Sequence, residues 1–230
     1  MRLIQRILQS MGLRVVRSKY SSPYHMKRDA FVSPVSVRYY QAGHNGVIID
    51  VELSNGRAFP CFSFANTCNH PFIVAAQYGG LNEEGIYNIL TNYYTRVLPS
   101  KASDVFDIID TASMARNFPY WAVVLPWESD NQEQWFEKVR ESVLSENKAM
   151  GLMMGIEKGW SWLGPTSDEK IRVEAKRLLS ILKSVDKNGY QRDDTLDGDI
   201  KVNMLLKNDH EWVWQAITGQ HRAAALSSLD

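Results

Sequence analysis

A strand that hands over to a helix through a single glycine constrains this chain more than any other stretch. Trp212 to Ile217 reads as a short strand, and Ala223 to Leu229 is rich in strong helix formers. Between them, Gly219 lets backbone approach backbone. The free N–H groups of the first helical turn carry partial positive charge, which makes that turn an anion site. His221 and Arg222 stand in it. Arginine presents a planar fork of donors that matches phosphate oxygens, and histidine donates a hydrogen bond or moves a proton near neutral pH. A cation in a first turn opposes the helix dipole unless an anion binds there; the alternative is that Arg222 pairs with a nearby aspartate.

Those aspartates lie just upstream. Asp193, Asp194, Asp197 and Asp199 follow Arg192 and lead into an expected strand, Ile200 to Leu206. The cluster is either a polar turn or a Mg²⁺ site, since Mg²⁺ takes one or two carboxylates together with phosphates and waters. A carboxylate there could also orient or deprotonate an acceptor hydroxyl during phosphoryl transfer.

The run Gly219-Gln220-His221-Arg222-Ala223-Ala224-Ala225 resembles the strand-to-helix phosphate cradle of the ParB/sulfiredoxin-like superfamily. Gly189 to Asp194 is similar to that family's first box, and Asp197 to Val202 to its glycine-led second strand, so the likeness covers roughly the last quarter of the chain. It implies a module at 165–230 that holds a nucleoside triphosphate, ATP or CTP, together with Mg²⁺. The resemblance places Gly219, Gln220, His221 and Arg222 on the cofactor, His221, Asp193 and Asp194 in catalysis, and Asp197 and Asp199 on the metal. Gln220 stands where sulfiredoxins carry the catalytic cysteine, so sulfinic-acid reduction is not carried over. His221 replaces the first arginine of the ParB turn, so a preference for CTP is not carried over either. The family continues into another strand where this chain stops, and the expected module therefore lacks its final strand.

Charge narrows the partners. Lys and Arg number 26 and Asp and Glu 26, a net charge of zero, which offers little of the phosphate neutralisation that drives non-specific nucleic-acid binding. Nucleic acid is thus the less expected partner and nucleotide the more expected one. Cys61 and Cys68 have no second pair with which to form a zinc set, and the apolar runs fall short of a membrane span, which leads us to expect a cytoplasmic protein. Phosphate-binding P-loop, dinucleotide, zinc-protease and nucleophile-elbow patterns are missing from the sequence. His44 and His70 read as isolated turn residues.

Residues 1–20 read as a basic amphipathic helix, with Leu3, Ile4, Ile7, Leu8 and Met11 on one face and arginines flanking it. It either lies on an anionic membrane surface through residues 1–19 or docks on the protein. This start resembles the N-termini of bacterial envelope-glycan cluster proteins, which implies a peripheral place at the inner membrane.

Residues 30–150 read as an α+β domain. Val35 to Tyr40 and Val47 to Leu53 look like strands, Ser54-Asn55-Gly56 like a hairpin turn, and Ala58 to Phe64 like the returning strand. Asn82 caps a helix that ends at Pro99, Lys101 to Asp110 forms a second, and Phe118 to Glu128 is a buried strand with Glu128 at its end. Asp130 to Glu133 is a capping box for a helix bearing Trp135, Phe136, Val139 and Val143. Residues 151–164, rich in Gly and Met, read as a linker or lid whose Trp160 and Trp162 either stack a ligand ring or pack helices. Thr166 to Glu169 caps a helix with Ile171, Ala175, Leu178, Leu182 and Val185 on its core face; Glu174, Lys176, Arg177 and Lys183 form its solvated face, and Gly189 ends it.

The expectation is therefore an α/β (α+β) protein that binds a nucleotide. It acts as a phosphotransferase or nucleotide hydrolase in envelope polysaccharide synthesis, or alternatively as a ParB-like nucleotide-switched regulator of DNA or protein without small-molecule catalysis.

Overall fold

The structure, a computed structural model, describes residues 24–27, 32–41, 46–59, 62–105, 117–122, 132–192, 199–206 and 211–230. Residues 1–20, Cys61, Glu128, Asp193, Asp194 and Asp197 lie outside them. The protein is α+β, with helices and two small sheets. The chain divides into two compact units, Met1–Glu52 with Met204–Val213, and Leu53–Asn203 with Trp214–Asp230.

In the first unit, β1 (Tyr24–His25) pairs in parallel with β2 (Val47–Ile48), and α1 (Pro34–Gln41) lies between them in sequence. The expected strand at Val35–Tyr40 is this helix. Pro34 opens it with a preset φ. Ser33 and Ser36 cap it reciprocally, the Ser36 amide donating to Ser33 Oγ at 3.1 Å and the Ser33 amide to Ser36 Oγ at 2.9 Å. Val35 and Tyr39, four residues apart, are both exposed, which is one helical face rather than strand alternation. No described residue of this unit is buried.

The second unit holds the core. Its helices are α2 (Pro71–Gly79), α3 (Glu83–Arg96), α4 (Gln132–Ala149), α5 (Ile156–Gly159), α6 (Asp168–Asn188) and α7 (Gln220–Leu229). α3 packs on α2 and α6, and α7 packs on the same two, closing a ring of four. Phe72, Ile73, Ile86, Leu90, Leu178 and Leu182 are buried inside it, each aliphatic or aromatic side chain contributing roughly 1.5–3 kcal/mol. Ala223, Ala224 and Ala225 let α7 approach closely and are fully covered.

Helix limits follow the expected chemistry at both α3 and α6. Asn82 Oδ1 accepts from the Glu84 amide at 3.0 Å, and Ser167 Oγ from the Lys170 amide at 3.2 Å. Gly189 closes α6 in the left-handed region at φ +65°.

The main sheet runs β3-β5-β4, where β3 is Gly56–Arg57, β4 Lys201–Leu206 and β5 Trp212–Thr218. The strands expected at 200–206 and 212–217 are neighbours in this sheet. Five residues separate β4 from β5, too few for a parallel crossover, so they run antiparallel. β3 pairs with β5 in parallel, Gly56 opposite Trp214. Trp214, Gln215 and Ala216 are consecutive and all buried, as a central strand covered on both faces requires.

Several local expectations change. Ser54-Asn55-Gly56 is not a hairpin turn: Leu53–Asn55 is a 3₁₀ turn, and Gly56 enters β3. The antiparallel contact comes later, with Ala58 N–H to Phe62 O at 2.7 Å and Phe64 N–H to Gly56 O at 3.1 Å. The reason is tertiary: Phe64 stacks on Trp214, rings 5.3 Å apart, and β5 supplies the ladder. At 101–110 the described residues hold only a 3₁₀ turn, Ala102–Asp104. Residues 117–122 form turns with a single bridge from Pro119 to Lys101 rather than a strand.

Residues 151–164, expected as linker or lid, are packed. Ile156, Trp160 and Leu163 bury with Trp121, Ala122 and Val143 into a second apolar cluster.

Candidate functional site

The first turn of α7 begins at Gly219, φ +78°. A Cβ there would lie 2.8 Å from Ile200 Cα and 2.9 Å from Asp199 O, so the glycine is required by the close passage of residues 199–200 as well as by its backbone angle. Asp199 itself accepts from Tyr190 Oη at 3.0 Å and pairs with Arg192 at 3.4 Å. Burial raises the Tyr190 phenol's pKa, and the Arg222 charge opposes the rise. Among the described residues no group of three or more His, Cys, Asp or Glu is arranged to hold a metal ion.

His221 turns into the protein. Its Nε2 lies 2.7 Å from Glu174 Oε2, and Phe72 stacks on its ring at 4.2 Å. Glu174, expected on a solvated face, is fully buried. The correction has a geometric cause: α6 packs on both α3 and α7, so its covered face is wider than the Ile171–Leu182 stripe.

Glu174 Oε1 receives Lys170 Nζ at 2.7 Å and Ser161 Oγ at 3.0 Å, while Arg177 stands 3.6 Å from Oε2. Lys170, also fully buried, donates further to Asn147 Oδ1 at 2.8 Å. Burial alone would raise the Glu174 pKa. His221, then Lys170 and Arg177, outweigh it and hold the carboxyl well below the usual carboxylate range. The spacing Lys170-x-x-x-Glu174 was the available sequence signal for this pair.

Next to it, His70 caps α2, its Nδ1 accepting from the Phe72 amide at 3.2 Å, so the ring proton sits on Nε2. That Nε2 is buried with no hydrogen-bond partner among the described residues, enclosed by Phe62, Phe64, Phe72 and Trp162. Burial first, and the His221 charge second, lower the His70 pKa to about 3.

Gln220 faces a cleft of about 370 Å³. Its apolar walls are Phe59, Trp135, Val139, Val143, Trp160 and Trp162; polar groups come from Asn203 on β4, Gln215 on β5 and Gln220 on α7, with exposed Lys138, Ser142 and Glu146 of α4 at the rim. All belong to the second unit. Aromatic neighbours hold the indoles in place: Trp160 meets Phe59 edge-on at 6.0 Å, and Trp162 meets Phe72 at 5.5 Å.

The cleft's polar groups are underused. Among the described residues, Trp135 Nε1 and Gln220 Oε1 are buried with no partner, and Gln215, 8% exposed, makes no side-chain hydrogen bond. A buried donor or acceptor left unmade costs about 1–3 kcal/mol.

Of the residues expected on a cofactor, then, the structure puts Gln220 in the cleft with Trp160 and Trp162, His221 against Glu174, and Arg222 within electrostatic reach of Tyr190. Sequence pattern marks Trp135 and Gln215 only as helix core and strand. No family model matches the chain, and no curated protein or solved structure matches it.

Proposed function

We propose that the protein binds a nucleotide, with its phosphates against the first turn of α7 and one further ring of the ligand in the adjoining cleft. One observation carries this reading: Gln220, the first residue of the turn whose sequence resembles a phosphate cradle, also lines a cleft walled by three indoles. Arg222, one half-turn on, supplies the charge for the phosphates.

The finer reading is a phosphotransferase or hydrolase acting in envelope polysaccharide synthesis with ATP or CTP and Mg²⁺. It rests on His221, Asp199 and the aspartates Asp193, Asp194 and Asp197. A nucleotide-switched regulator is the second reading, and the commitment of His221 Nε2 to buried Glu174 favours it, because that nitrogen is then engaged within the protein.

Calorimetric titration with ATP, CTP and GTP, with and without Mg²⁺, tests the proposal. Saturable binding is expected, with a rise in melting temperature. Arg222→Ala should lose about 1.5–3 kcal/mol of affinity and Arg222→Lys should recover part of it. An Arg222→Ala protein that melts lower when unliganded but binds as wild type assigns Arg222 a structural role and removes the phosphates from this turn. Binding without turnover selects the regulator.

A further inference from the structure

We infer that the part of the ligand held in the indole-lined cleft is a neutral, hydroxyl-rich ring, a pyranose, so that the ligand class is a sugar nucleotide or a related sugar phosphate. The inference deepens the proposed function and relies on it only for the phosphate end. It stands on where the unpaired polar groups lie. Trp135 comes from α4, Gln215 from β5 and Gln220 from α7, three separate elements around one cleft, and each carries hydrogen-bonding capacity that no described residue uses.

A nucleobase concentrates its polar atoms on one or two in-plane edges, which a single amide can read. A pyranose distributes hydroxyls around its whole perimeter and leaves C–H surfaces on its two faces. Apolar indole walls with amides and an indole N–H drawn from several sides match that second distribution. Charge agrees with it: the buried groups, Trp135 and Gln215, are neutral, and Lys138 and Glu146 are exposed at the rim. Each carboxamide offers a donor and an acceptor, as each hydroxyl does. A volume of about 370 Å³ is at the small end of ligand sites, enough for one ring system.

The full chain is titrated with methyl glycosides of glucose, galactose, mannose and N-acetylglucosamine, and separately with UDP, GDP and dTDP, each with and without an attached hexose. Tryptophan emission and calorimetry are the readouts. At least one methyl glycoside is expected to perturb the emission saturably, and its nucleotide conjugate should bind at least about tenfold tighter than the bare diphosphate. Trp135→Phe, which removes the indole N–H and keeps an aromatic wall, and Gln215→Leu should each abolish that increment while leaving bare-diphosphate affinity unchanged. Diphosphates that bind equally with and without sugar, with no glycoside binding, overturn the inference and leave nucleotide binding standing. Glycosides that bind while diphosphates do not support the cleft and overturn the nucleotide. If neither binds, both are overturned.

Discussion

His70 is a histidine that its surroundings keep neutral, and the consequence is a pH dependence with a defined window. Its pKa is about 3 in the fold, against about 6.5 in an unfolded chain. Between those values the unfolded chain binds a proton that the native protein does not. Stability is therefore fully present above pH 6.5 and falls as the pH drops toward 3. Glu174, whose pKa is also depressed, adds its own loss only below the ordinary carboxylate range. Urea unfolding between pH 7.5 and 4.5 should show a decline on the order of 2–3 kcal/mol in wild type. His70→Asn, which keeps a cap acceptor for α2, should flatten it. A wild-type profile already flat across that window would contradict the buried, neutral assignment.

At the scale of elements, Glu174 joins α6 to α7 through His221 and to residues 151–164 through Ser161, while Lys170 extends the same network to Asn147 of α4. Removing one member of a buried ion pair leaves its partner charged and uncompensated, at a cost of about 3–5 kcal/mol. Glu174→Gln should destabilise by that amount in denaturant unfolding. Lys170→Met introduced into the Glu174→Gln background should restore much of it, since the stranded charge is gone. A Glu174→Gln loss below about 1 kcal/mol would mean that the network does not tie these elements together.

For the whole molecule, the ring of α2, α3, α6 and α7 should open cooperatively. These helices pack on one another around a shared set of buried apolar side chains. The first unit has no buried described residue, so its amides have less to protect them. Hydrogen exchange followed by mass spectrometry should give α3, α6 and α7 a common, high protection and α1 a much lower one. Uniform protection across both units would refute this division.

Sequence alone determined whatever depends on neighbours along the chain. Asn82 and Ser167 as caps, Gly189 as a helix end, the Ile171–Leu182 stripe, and the passage from β5 through Gly219 into α7 were legible because capping bonds and periodicity are local. Tertiary structure decided the rest. Val35–Tyr40 alternates like a strand, yet a two-serine cap and Pro34 make it a helix. Gly56 enters a strand because β5, more than 150 residues later, offers it a ladder. Glu174 looks solvated until α7 closes over α6, and the cleft exists only where α4, β4, β5 and α7 converge. Burial and polar satisfaction are properties of surfaces brought together from distant parts of the chain, and a local pattern of residue types does not encode which surfaces will meet.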